Sequence, residues 1–256
     1  MNTSLIANNT LIIAHRGESY DATENTLRAV NLAWRRNADG VEIDVQLSKD
    51  NEIIVFHNSK IKNSFGKSVP VKSETLKNLE KYIIRINKKD KLNDEKIPTL
   101  KKVLLSVPPN KHLFIEIKCG TEIIPYLKNV LRNSQIDSNK IKIIGFGLKK
   151  MSIIKKHFPD YDVLLNKRII MQKIIFFKTF YFNLIKKLNH NLLDGLNLSY
   201  THFINLRMIK LFRVNKLKIF VWTINNPKKA IRLFELGVDG FMSDRAGWIR
   251  EKMNLR

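Results

Sequence analysis

Short β-branched runs recur along the chain, separated by stretches whose apolar residues fall three and four apart. The runs are LIIA (11–14), GVEIDV (40–45), LFIEIK (113–118), IKIIGF (141–146), YDVLLN (161–166), LDGLNLS (193–199), KIFVWTI (218–224) and DGFMSD (239–244). Between them lie TENTLRAVNLAWRRN, PTLKKVLLSV, EIIPYLKNVLRN, KKMSIIKKHF, THFINLRMIKLFRVN and NPKKAIRLFELG, which have the spacing of amphipathic helices. Strand alternating with helix requires crossover connections and therefore parallel strands. Eight such strands predict an α/β fold, a (β/α)8 TIM-type barrel, with its functional groups at the C-terminal strand ends. The competing arrangement is an open doubly wound sheet, but no glycine-rich phosphate loop follows the first run.

One run breaks the alternation. NEIIVFH (51–57) follows the second strand after the turn-forming SKDN, too soon for a helical crossover. It is expected to return antiparallel as a hairpin above the barrel mouth, bringing His57 level with residues 42–44. Residues from about 58 to 97 then read as a small insertion. No linker, repeat or low-complexity block divides the chain, so residues 1–256 are expected to form one domain.

Composition adds little to the fold and more to the question of partners. The chain has 256 residues, 44% hydrophobic and 27% charged, as in an ordinary globular protein, but its formal net charge is +23. Such charge attracts nucleic acid, anionic lipid or phosphorylated substrates. The lysines are scattered rather than gathered in a tail, so a basic surface with no specific nucleic-acid site is expected. Cys119 is the only cysteine, which rules out an intrachain disulfide. The N-terminal sequence has no basic segment of the kind that opens a signal peptide. The most apolar stretch, residues 169–190, is broken by Lys173, Lys178, Lys186 and Lys187. It reads as a barrel helix with solvated lysines rather than a membrane span, with peripheral contact to an anionic membrane left open. A cytoplasmic location is therefore expected; the oligomeric state is not legible.

The chemistry gathers at strand ends. Glu42 and Asp44 are two apart on a strand and share a face, and Glu116 and Lys118 repeat the spacing. Carboxylates facing a barrel interior are costly unless paired or bound to a cation. Three of them make an oxygen-rich site suited to Mg2+ or Ca2+; the alternative is a buried ion-pair network with Arg16 and Lys118. His15 and His57 end strands at the same mouth and suit an acid–base pair. Arg16 and Lys118 favour an anionic substrate, most naturally a phosphate.

Together AHRG, ENT, GVEIDVQLSKDNEIIVFH, IPTL, FIEIK, VWTIN and GVDGFMSD resemble the glycerophosphodiester phosphodiesterases, in the family's order over nearly the whole chain. The resemblance implies a phosphodiesterase barrel in which His15 and His57 are catalytic and Glu42, Asp44 and Glu116 hold one divalent cation. It further implies that Arg16 and Lys118 grip the phosphate, that Trp222 lines the glycerol side, and that Glu24 and Asn25 support the site. The expected reaction is metal-dependent hydrolysis of a small-molecule glycerophosphodiester to sn-glycerol 3-phosphate and an alcohol. Alternatives are a lysophospholipase D-type activity, in which residues 169–190 receive a lipid tail, and an inactive polyanion-binding barrel. Three positions depart from the family: Asn58 replaces an Asp after the second histidine, Gly145-Phe146-Gly147 replaces Ser-Phe-Asp, and SDRAG replaces a Thr-Asp-Pro ending. The last is expected to be peripheral.

Overall fold

In the computed structural model, which describes residues 10–62, 66–84, 95–168 and 177–254, the eight runs form one closed parallel barrel. Its strands are β1 (Leu11–His15), β2 (Gly40–Leu47), β3 (His112–Ile117), β4 (Ile141–Gly145), β5 (Asp162–Lys167), β6 (Gly195–Ser199), β7 (Lys218–Trp222) and β8 (Gly240–Ser243). Each pairs with the next in sequence, and β8 pairs with β1 to close the ring. The surrounding helices are α1 (Leu27–Arg35), α2 (Leu100–Leu104), α3 (Ile124–Arg132), α4 (Leu148–His157), α5 (Phe177–His190), α6 (Leu206–Val214), α7 (Pro227–Leu236) and α8 (Ala246–Lys252). Several starts are written locally: Thr26, Thr99, Asn205 and Asn226 each accept a backbone N–H in the first turn of the helix they cap. The helical pattern did not foretell α8, a short segment after the last strand.

Alternation along the strands sorts side chains into two layers. Ile12, Ala14, Val41, Ile43 and Val45 face outward into the layer shared with the helices. Ile13, Phe114, Ile144, Leu164, Phe220 and Met242 face inward and make a separate apolar floor inside the barrel. Phe114 and Phe220 meet there edge to face at 5.0 Å. Two positions further along each of these six chain segments come His15, Glu116, Phe146, Asn166, Trp222 and Asp244. The floor thus sets the level at which polar and aromatic groups enter the mouth.

The N-terminal end of the barrel is fastened by three Asp-Gly pairs at strand starts. Asp39, Asp194 and Asp239 accept the backbone N–H of Ile12, Val163 and Ile219 at 2.9, 2.7 and 2.7 Å. The following glycine lies against a neighbouring strand; a Cβ on Gly195 would fall 2.1 Å from the Lys218 carbonyl oxygen.

The hairpin expectation holds. Ile53–Val55 returns antiparallel to β2, with Val45 opposite Val55 and Leu47 opposite Ile53. The insertion that follows contains the pair Lys60–Lys62 and Ser68–Pro70, a short helix Leu76–Leu79, and the pair Ile83–Ile84 and Glu95–Lys96. Ile61, Val71, Leu79 and Ile97 pack with Ile54 as a small separate cluster that anchors it on the hairpin. In the 169–190 stretch, residues 169–176 lie outside the described residues. The rest forms α5, which buries Tyr181, Leu184, Ile185 and Leu188 and leaves Lys186 and Lys187 exposed. No helix among the described residues is long and apolar enough to cross a membrane.

Candidate active site

The turn after β1 builds the first wall of the mouth. Arg16 and Asn25 have left-handed backbones (φ 57° and 60°), and Gly17 follows at φ 80°. A side chain on Gly17 would collide with Ala29 of α1 at 2.5 Å, so glycine is required there. Non-glycine residues pay strain in this region, and here it aims Arg16 inward. Its backbone N–H donates to Glu42 Oε2 at 3.0 Å, and its guanidinium meets Glu24 at 2.8 Å. Its Nε lies 3.0 Å from Asp44 Oδ2, as an ion pair outside hydrogen-bond geometry. Asn25 clasps Asp44 in both directions: its amide donates to the carboxylate and its carbonyl oxygen accepts the Asp44 N–H.

Glu42, Asp44 and Glu116 converge, each offering an oxygen within 4.8 Å of the others. Glu42 and Asp44 are essentially inaccessible. Lys118 donates to Glu116 at 2.9 Å and lies 3.4 Å from Asp44. The ion-pair network weighed as an alternative is therefore present, but it does not satisfy the cluster. Glu42 Oε1 and Asp44 Oδ1 are buried with no hydrogen-bond partner among the described residues. Burial, then the charges of Asp44 and Glu116, push the Glu42 carboxyl well above the usual carboxylate range. Arg16 and Lys118 show the reverse balance: burial lowers each, but the surrounding carboxylates outweigh it and hold both above their ordinary values. An orphaned Glu42 oxygen, beside an Asp44 oxygen that has only the Lys118 charge, in an all-carboxylate donor set fits a hard divalent cation.

The histidines are held differently. His15 Nδ1 contacts Asp244 Oδ1 at 2.7 Å, leaving Nε2 facing inward, 3.9 Å from Glu42. Asp244 is braced by Ser19 Oγ (3.3 Å) and the Asn225 amide (2.6 Å). Although burial opposes it, the contacts from His15, Asn225 and Ser19 hold its carboxyl below the usual range. The expectation that SDRAG is peripheral is thus corrected: its Asp orients the ring of His15. It could not be seen as a partner because 229 residues separate the two; only ring closure joins β8 to β1. His57 follows the hairpin strand, where Phe56 N–H donates to Asp44 O at 2.9 Å. Its Nδ1 lies 3.0 Å from Asn58 Oδ1, so the amide in place of Asp still offers an acceptor. Gln46, another residue the pattern did not single out, donates to the carbonyls of Phe56 and Asn58 and clamps this segment.

The sequence model of the glycerophosphoryl diester phosphodiesterase family matches residues 15–248. The chain belongs to this family. Its enzyme class is accordingly that of the phosphoric diester hydrolases. A glycerophosphodiester phosphodiesterase of Caldanaerobacter subterraneus is 29% identical, covering 92% of this chain and 94% of the relative. The crystal structure of the Thermotoga maritima glycerophosphodiester phosphodiesterase superposes with a TM-score of 0.73 at 26% identity, over 96% of this chain and 98% of that one. An Oleispira antarctica phosphodiesterase shares the fold, with a TM-score of 0.79 at 24% identity over 95% and 96% of the two chains. That protein was solved in complex with its product sn-glycerol-3-phosphate.

The opposite arc of the mouth is aromatic. Trp222, at the end of β7, donates from Nε1 to the Asn197 carbonyl at 3.2 Å. Phe146, in the family-divergent Gly145-Phe146-Gly147, meets Trp222 edge-on with ring centres 6.2 Å apart.

Proposed function

We propose that this family member hydrolyses glycerophosphodiesters to sn-glycerol 3-phosphate and an alcohol with one divalent cation, Mg2+ or Ca2+, and two histidines. The observation that carries the reading is the convergence of buried Glu42 and Asp44 with half-buried Glu116, where one oxygen each of Glu42 and Asp44 lacks a hydrogen bond, bordered by Arg16, Lys118 and His15. When bound by these three carboxylates, the cation supplies the charge that polarises a phosphoryl group and favours ionisation of a nearby hydroxyl. Arg16 and Lys118 bind the phosphate; both stay protonated because the carboxylates beside them outweigh burial. His15, oriented by Asp244, presents Nε2 to the reacting group, and His57, whose Nδ1 faces Asn58, presents Nε2 from the hairpin. One ring takes a proton from the nucleophile and the other delivers a proton to the leaving alkoxide. Trp222 lines the glycerol end. A small-molecule diester is the substrate, and residues 1–256 act as one domain.

The test is turnover of glycerophosphocholine before and after exhaustive chelation, followed by Mg2+ or Ca2+ add-back. Activity should vanish and return. Full activity without metal overturns the reading. Substrates with a better leaving group should rescue only the histidine variant that lacks the general acid, which assigns the two roles.

A further inference from the structure

The aromatic arc of the mouth carries a cation of its own. Arg168 follows β5, two positions beyond the buried, inward-facing Asn166, and strand alternation directs it toward the same side. Its guanidinium lies over two rings, 5.6 Å from the centre of Trp222 and 6.0 Å from that of Phe146. Those rings stand at 90° to each other, and Phe146 is 38% exposed. Among the described residues Arg168 has no carboxylate partner, in contrast to Arg16, Arg36 and Arg250. Two perpendicular aromatic faces at the glycerol end would be a ready apolar seat for a fatty-acyl chain, were they bare. With the guanidinium across both, an acyl chain has to displace a cation–π pair or bury a charge with nothing to answer it. A free glycerol hydroxyl meets no such conflict, because its oxygen accepts from the guanidinium.

We propose that Arg168 is a specificity-determining residue that makes this wall accept the free hydroxyls of a deacylated glycerol and reject an acylated one. The inference rests on the reading that this mouth hydrolyses glycerophosphodiesters with the glycerol end toward Trp222. It names their class: water-soluble, deacylated diesters rather than lysophospholipids. The residue acts on binding, so its effect belongs mainly in KM.

The test holds the headgroup constant. With saturating divalent cation, kcat/KM is measured on glycerophosphocholine and on its hexanoyl monoester below micellar concentrations, for the wild type, Arg168→Leu and Arg168→Gln. The wild type should prefer the deacylated diester. In Arg168→Leu the preference should shift toward the acylated diester by about tenfold, mostly through KM, with Arg168→Gln intermediate. A ratio unchanged within about twofold in both variants, or a wild type that already prefers the acylated diester, overturns the inference while leaving turnover of glycerophosphocholine intact. A wild type that hydrolyses neither diester with Mg2+ or Ca2+ overturns the reading on which the inference rests. Unaltered Tm values show that the variants are folded.

Discussion

The two ends of the barrel treat buried charge in opposite ways. At the N-terminal end Asp162 receives both Lys142 and Lys218, which outweigh burial and hold its carboxyl below the usual range. Asp39 answers Ile12 N–H and Arg250, and Asp194 answers Val163 N–H and Lys155. At the C-terminal end three carboxylates meet two fixed cations; among the described residues Glu42 Oε1 has no partner, and Asp44 Oδ1 has only the Lys118 charge at 3.4 Å with no hydrogen bond. Paired charge of the first kind holds strands in place. Charge left uncompensated, as in the second, is unfavourable for the empty fold and useful only when a cation or substrate arrives.

Exchange of charge at the two ends separates these roles. At the mouth, Asp44→Asn and Glu116→Gln should lower kcat/KM by about two orders of magnitude or more. His15→Ala should lower it by about two to four. Glu42→Gln should do the same to activity yet raise the Tm of the metal-free protein at neutral pH, since burial and the neighbouring carboxylates oppose an ionisation that the unfolded chain makes freely; a fall in metal-free Tm would contradict this. At the other end the signs reverse. Asp194→Ala strands the Val163 N–H and should cost about 1–3 kcal/mol of stability, read by denaturant unfolding, while kcat/KM measured well below the Tm stays near wild type.

A smaller effect is expected from His112, at the start of β3. Burial first, then Lys142 and Lys140, lower its pKa from 6.5 to about 4. Above pH 6.5 the ring is neutral whether the chain is folded or not. Between pH 6.5 and about 4 the unfolded chain takes up a proton that the folded one refuses, so stability falls as pH falls. Thermal unfolding from pH 7 to 4 should show this slope, and His112→Gln should flatten it. The smallest effect concerns the +23 charge: nucleic-acid binding should be weak and collapse with salt, and diester turnover should change only gently. Tight, salt-resistant binding to a defined nucleic acid would contradict a merely basic surface.

The part of the site lying within one strand or one turn was legible in the chain. Glu42 with Asp44, and Glu116 with Lys118, announce a shared face because strand geometry has a period of two. The hairpin announces itself because four residues of turn chemistry cannot carry a crossover. Asn25 was marked by its place in the ENT motif, though not its two-way clasp on Asp44. Asp244, Gln46 and Arg168 gave no such signal. Each acts on a residue that belongs to another strand or lies beyond a turn.

The sequence by itself determined which residues alternate inward and outward, where helices begin, and that eight parallel strands need a ring or a sheet. These follow from local backbone geometry and from burial of one face. Only the tertiary structure decided what meets across the ring: Asp244 beside His15, the Glu42 and Asp44 oxygens left without hydrogen bonds, and Arg168 over Phe146 and Trp222. The physical reason is closure. Pairing β8 with β1 turns positions at opposite ends of the chain into neighbours, and burial then fixes their charge and hydrogen bonding in ways that no local pattern encodes.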